Sequence, residues 1–342
     1  MKVSYWHNNR DIRIEDVPTP RPGPGEILVK VISCGICGSD VVEWYRLPRA
    51  PLVQGHEIGA LVVEVGDSVT GFKPGDRVFV APKAPCMECS YCKEGHYPQC
   101  SEIKVRLPGG FAEYILVPKA LVEMGTYLLP DSLTYDRSTF IEPLACAVRA
   151  QRLAGIHEGQ TVLVAGCGMS GLLHVRLAKT SKCRVIATDV NPNRLAFAGR
   201  TGADLTVDAA KDISGVLADR NYGKADAVIL CTSALSAVEQ AWKCVDKGGA
   251  VVFFAVPGPD KDVHVPINDF WTKEIRILTS YYCGPPDIEE SIKLIESGRI
   301  EVDDMITHRL GLEDIAKGFE LVLDGTESIK VIIRPNNPAA NG

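Results

Sequence analysis

The chain has 342 residues, 46% hydrophobic and 23% charged, with a formal net charge of −6. That length suggests two domains that can bury their cores without disulfides, and the composition is globular rather than disordered or collagen-like. There is no long basic run to bind nucleic acid, no apolar stretch of roughly 18 residues to span a membrane, and no apolar signal core in the N-terminal MKVSYWHNNRD, so a cytoplasmic protein is expected.

Residues 2–80 read as short β-runs. ILVKVISCGI, ALVVEVG and DRVFVA are rich in Val and Ile, and Pro/Gly turns separate them, as between Pro18 and Gly25. This is the pattern of a compact β-domain. Within it Cys37 lies in CGICGSD, and His56 and Glu57 lie in GHEIG; Glu142 follows later in IEPLAC. A thiolate, an imidazole and a carboxylate suit a catalytic zinc, which takes about three protein ligands and keeps one position open. Taken singly, His56 also reads as a buried core histidine and Glu142 as a helix cap.

Four of the twelve cysteines are clustered: Cys86, Cys89, Cys92 and Cys100 form C-x2-C-x2-C-x7-C. A segment this short has no core of its own, and tetrahedral zinc on four thiolates can fold it. Disulfides are disfavoured in a reducing compartment, and the spacing departs from the ferredoxin pattern of an iron–sulfur cluster. For most of the scattered cysteines (Cys34, Cys37, Cys146, Cys167, Cys183, Cys231, Cys244 and Cys283) the expected role is a small buried hydrophobe.

After about residue 148 strands alternate with helices. TVLVAG, RVIATD, DAVILCT and AVVFFAVPG read as strands, while GLLHVRLAKT, NRLAFAGRTGA and ALSAVEQAWKCVDKGG have helical spacing. Unbroken apolar strand runs separated by helices imply βαβ units and a parallel sheet. Two amphipathic helices are expected over 287–298 and 312–324, then a closing strand in SIKVIIRP.

Gly166, Gly168, Met169, Ser170 and Gly171 belong to a G-x-G-x-x-G that follows the strand TVLVA and opens a helix. The glycines permit the tight turn, the approach of a pyrophosphate and close helix–strand packing, with the phosphates on the helix N-terminus. Asp189 ends the next strand, 18 residues past Gly171. A carboxylate there binds ribose hydroxyls and repels a 2′-phosphate, which favours NAD over NADP. Arg194 is the nearby cation that could instead pair with such a phosphate, and Asp189 could also serve as a helix N-cap ahead of Pro192.

GICGSD, GHEIGALVVEVG, the four-cysteine lobe, EPLAC and VLVAGCGMSG together resemble the zinc-dependent medium-chain alcohol dehydrogenases. The resemblance covers essentially the whole chain and is closest to the sorbitol (iditol) and threonine dehydrogenase branch. It implies an α/β fold. A GroES-like β-rich catalytic domain would span residues 1–147 and carry the structural zinc lobe (86–100). A Rossmann doubly wound parallel-sheet domain would span 148–282, and the segment 283–342 would complete the catalytic domain. It implies a catalytic zinc on Cys37, His56 and Glu57 or Glu142, hence two zinc ions per chain. Asp40 would orient a ligand, and Ser39 would pass the hydroxyl proton outward.

The implied reaction is NAD-linked oxidation of a secondary alcohol (a polyol, sugar alcohol or cyclitol) to a ketone. Alternatives are an L-threonine 3-dehydrogenase type or a simple secondary alcohol dehydrogenase. From another class, a non-catalytic NAD-binding protein would be expected to have lost ligands that this chain keeps. A homodimer or homotetramer joined through the Rossmann sheet edge is also implied, with AVVFFAVPG and IRILTSYYC as candidate runs. The chain departs from the branch at Val42, where members usually carry a His; Glu43 or water is expected to finish the proton relay. The stretches from Cys37 to His56 and from Cys100 to Phe111 are shorter than in typical sorbitol dehydrogenases, which leaves the substrate open. Trp44, Tyr45 and Arg46 are expected near the pocket mouth, against substrate or as packing.

Overall fold

The computed structural model describes residues 1–102 and 105–336. The chain divides into two compact units: the described residues of Met1–Ala145 with Cys283–Gly342, and Cys146–Tyr282.

The first unit is built on a mixed sheet. Its order is Ile306–Gly311, Lys330–Arg334, Ile27–Gly35, Glu57–Val65, Arg77–Val80 and Thr126–Leu128, with Tyr114–Val117 also paired to Ile27–Gly35. The three Val/Ile-rich runs of the N-terminal sequence are neighbours in the middle of this sheet, where β-branched side chains fit a pleated, packed surface. Val29, Val31, Ile58, Val62 and Val78 are fully buried there, with Phe111 and Phe319. The closing strand lies antiparallel to Ile27–Gly35, with Ile332 opposite Gly35 and Ile333 opposite Cys34. Glu57 pairs with Gly35 on the other side. Segments about 300 residues apart therefore meet beside the turn that carries Cys37. The expected C-terminal helices are Pro285–Glu296 and Ile315–Asp324.

The second unit holds a six-stranded parallel sheet. Its order is Leu205–Asp208, Arg184–Asp189, Thr161–Ala165, Ala225–Leu230, Val245–Phe253 and Arg276–Thr279. In chain order that is 3-2-1-4-5-6, the doubly wound dinucleotide-binding arrangement. All five residues of Thr161–Ala165 are buried, as expected for a central strand covered on both faces. One expected helix is shorter than its sequence pattern. ALSAVEQAWKCVDKGG is helical only over Leu235–Cys244, and a strand begins at Val245, which pairs with Ala225. The two glycines that follow are poor helix formers, and the ladder takes over before them.

Candidate active site

The turn after strand Ile27–Gly35 presents Cys37. Residues Gly38–Val41 form one 3-10 turn with Cys37 as its N-cap. The Cys37 Sγ accepts the Ser39 amide and the Ser39 hydroxyl, each at 3.4 Å. In return, the Asp40 carboxylate accepts the Cys37 amide at 3.1 Å. His56 and Glu57 arrive at the start of the neighbouring strand Glu57–Val65. One ligand atom each from Cys37, His56 and Glu57 lie within 4.8 Å of one another. Zinc bonds of about 2.0–2.3 Å are compatible with donors at that separation. Glu142 sits buried in the first turn of helix Ile141–Ala154 and does not join this group.

Glu57 is fully buried and paired with Lys330, whose side chain is also fully buried and whose ammonium lies 5.1 Å from the centre of the Phe140 ring. The pair exists because position 35 is glycine: a Cβ there would come within 2.3 Å of the Glu57 carboxylate and 2.5 Å of the Lys330 ammonium. Lys330 occupies one Glu57 oxygen. The other, Oε1, is buried with no hydrogen-bond partner among the described residues. An unsatisfied buried carboxylate oxygen beside a cysteine sulfur and an imidazole is a fit for a cation.

Asp40 ties the ligands together. Its Oδ1 lies 3.4 Å from His56 Nδ1, which leaves Nε2 as the other ring nitrogen for a metal. Burial alone would raise the Asp40 carboxyl, but the facing His56, Arg46 and the Cys37 amide hold it below the usual carboxylate value. Burial works against a charged His56, yet Asp40 and then Cys37 raise it well above the ordinary histidine value when no metal is bound.

The four sulfurs of Cys86, Cys89, Cys92 and Cys100 also lie within 4.8 Å of one another. Cys86 Sγ accepts the Cys89 amide at 3.3 Å and Cys100 Sγ accepts the Cys86 amide at 3.3 Å, so backbone donors already point at the sulfurs. The Cys92 backbone draws the Cys89 thiol down to about 6, while burial pushes Cys92 up to about 12. No disulfide joins any of the cysteines, all twelve of which lie among the described residues, so none of the four is in one. Four converging thiols, two of them buried, suit a closed structural zinc.

In the second unit, Gly168 caps helix Met169–Thr180, and Met169, Ser170 and Gly171 form its first turn. A Cβ on Gly171 would lie 1.8 Å from the Gly166 carbonyl oxygen, so this crossing demands glycine. A cavity of about 240 Å³ opens beside Gly166, Gly168, Asp189 and Arg194, and Thr188 and Cys231, which the sequence did not flag, also line it. Asp189 accepts the Cys167 amide at 2.6 Å and the Asn191 amide at 2.8 Å. The residue expected to meet the ribose thus also braces the glycine-rich loop.

Sequence reasoning missed Lys330 and the role of Arg46. A lysine inside the apolar run SIKVIIR was the one available signal for the former, since a buried lysine needs a partner.

Two family models match: the alcohol dehydrogenase GroES-like domain over residues 23–126 and the zinc-binding dehydrogenase domain over 171–297. An erythritol/L-threitol dehydrogenase of Mycolicibacterium smegmatis is 36% identical, covering 98% of both chains. A sorbitol dehydrogenase of Gallus gallus is 31% identical over 96% of this chain and 94% of its own. A solved zinc-binding dehydrogenase from Sinorhizobium meliloti 1021, bound to NADP, superposes with a TM-score of 0.86 at 30% identity, covering 98% of this chain and 99% of its own.

The chain belongs to the zinc-dependent medium-chain alcohol dehydrogenase family. Within it, the likeness is to the sorbitol-type branch. It is a dehydrogenase that oxidises a small-molecule alcohol with zinc and a nicotinamide cofactor. No helix among the described residues is long and apolar enough to cross a membrane.

Proposed function

We propose that this enzyme oxidises a secondary hydroxyl of a polyol, sugar alcohol or cyclitol to the ketone, with NAD as the acceptor and two zinc ions per chain. The observation that carries the reading is the meeting of Cys37, His56 and Glu57 around a buried, half-satisfied carboxylate. These three residues would hold the catalytic zinc, with Glu142 as the carboxylate outside the group, and Cys86, Cys89, Cys92 and Cys100 would hold the structural zinc. Zinc held there would supply Lewis acidity toward the alcohol, and a nicotinamide would supply the hydride acceptor.

The chain's own groups do the rest. Asp40 fixes the His56 ring and the Cys37 turn through two oxygens. Ser39 places a hydroxyl beside the Cys37 sulfur, where it takes the alcohol's proton toward solvent. In the second unit, the loop from Gly166 to Gly171 cradles the pyrophosphate on a helix N-terminus, and Asp189 receives the ribose hydroxyls. The Asp189 carboxylate supports NAD, although the Sinorhizobium neighbour was solved with NADP.

The polyol class rests on the relatives named for erythritol, threitol and sorbitol oxidation. The enzyme is read as a dimer or tetramer joined through the sheet edge at Arg276–Thr279, an outermost strand whose Ile277 is exposed. The test is a panel of tetritols, hexitols, cyclitols, 2,3-butanediol and threonine, following NADH formation and repeated with NADP. Polyol turnover with NAD is expected. Turnover of threonine alone, or of none of the panel, overturns the reading.

A further inference from the structure

The turn that carries Cys37 and Ser39 is covered by a cation. Val42 has no polar group, and the Glu43 carboxylate accepts the Asn9 amide at 3.0 Å rather than reaching Ser39. Arg46 reaches it instead. At the end of the short helix Glu43–Arg46, its side chain folds back over the turn that precedes it. The Arg46 Nε donates to the Ser39 carbonyl at 2.9 Å, and one terminal nitrogen donates to the Ser39 hydroxyl oxygen and to Asp40 Oδ1, each at 2.8 Å. Only 11% of the Arg46 side chain is exposed, and its guanidinium lies 5.0 Å from the centre of the Tyr45 ring.

Every acceptor of this fork is one step from a metal ligand. Ser39 donates through its amide and its hydroxyl to the Cys37 sulfur, and Asp40 holds the Cys37 amide and faces His56. We propose that Arg46 is a positioning residue for the catalytic metal, locking Ser39 and Asp40 so that Cys37 and His56 are held in binding geometry. A guanidinium stays protonated in proteins, so it cannot carry a proton onward as an imidazole would. By donating to the Ser39 hydroxyl oxygen it holds that oxygen beside the Cys37 sulfur, to which the hydroxyl donates. When the Ser39 oxygen takes up the alcohol's proton, its own hydrogen turns from the sulfur and passes to water, since neither Val42 nor the guanidinium can accept it. This inference rests on the catalytic-zinc reading above.

The test is to dialyse the zinc-loaded enzyme against graded chelator and to count the zinc left per chain. Steady-state kinetics are measured alongside. Wild type is expected to start with two zinc ions. Arg46→Ala should release one of them at roughly 10–100-fold lower chelator, the effect typical of losing an outer-shell partner, with kcat reduced and KM for NAD unchanged. Arg46→Lys should behave like Arg46→Ala, because an ammonium cannot span the three acceptors. Arg49→Ala should match wild type, since Arg49 stacks on Tyr45 and bonds its carbonyl without touching Ser39 or Asp40. If Arg46→Ala does not fold, Arg46→Gln carries the same comparison.

Three results overturn the assignment: Arg46→Ala keeps both ions and its kcat, Arg46→Lys restores both, or the two ions leave together in a general loosening. A wild type that holds only the four-cysteine zinc overturns the catalytic-metal reading itself, and this inference with it.

Discussion

Lys330 has no exposed side-chain surface and a fully buried carboxylate as its partner. Removing one member of such a pair leaves a charge in a low-dielectric site, which costs about 3–5 kcal/mol. Lys330→Met is therefore expected to destabilise the protein by about that amount in urea unfolding, and Glu57→Gln on the same background should recover much of the loss. A single substitution costing under about 1 kcal/mol would contradict the pairing. Asp136 is a second charged hub: it accepts from the Ser33 hydroxyl and from Arg309 and Arg334. Burial works to raise its carboxyl, but these three donors hold it below its ordinary value. Since the folded value is depressed, the stabilisation is complete above the unfolded value of about 3.9 and disappears as pH falls through the folded one. The urea midpoints of wild type and Asp136→Asn should thus differ near pH 7 and converge as pH falls below about 3.9 and through the depressed folded value. A gap unchanged at low pH would refute it. Neither pairing was legible in the sequence, because Glu57 and Lys330 lie 273 positions apart and Ser33 and Asp136 lie 103 apart. Pairings at that range leave no periodic signal in the local sequence.

At the scale of elements the sequence was far more transparent. The strand and helix runs around the glycine-rich loop are local patterns, and Thr161–Ala165, Met169–Thr180 and Arg184–Asp189 follow them. Cysteine spacing likewise announced the lobe that brings four sulfurs together. The helix ending at Cys244 was misjudged because its boundary is set by pairing of Val245 with Ala225, a tertiary contact. Asp189 shows both levels at once. Its charge was readable, but its bonds to the Cys167 and Asn191 amides were not. Asp189→Gly should raise the NADP-to-NAD ratio of kcat/KM and also cost about 1–3 kcal/mol by stripping those amides of their acceptor. Asp189→Asn keeps an acceptor and should shift the ratio at a smaller stability cost. Unchanged ratios in both variants would remove Asp189 from cofactor choice. Cys92→Ser should lose one zinc and make the 86–100 segment a preferred protease site. Unaltered zinc content and cleavage pattern would show that the lobe folds without metal.

The whole molecule combines two compact units whose strands obey different rules: one mixed sheet with paired, distant segments, one parallel sheet in 3-2-1-4-5-6 order. The C-terminal segment returns to the first unit and supplies Lys330 beside Glu57, so the candidate metal site depends on the last described strand as well as on the first hundred residues. The motifs singled out the side chains that converge there, while Glu57 rather than Glu142 stands with Cys37 and His56 because it opens a strand paired directly to Gly35. The central claim is a catalytic metal on those three residues, separate from the four-cysteine zinc. The most direct measurement is zinc content, polyol oxidation and NADH binding in Cys37→Ser beside wild type. Wild type should carry two zinc ions per chain, and the variant should carry one, bind NADH as before and lose polyol oxidation. A Cys37→Ser protein that keeps both zinc ions and its turnover would contradict the account.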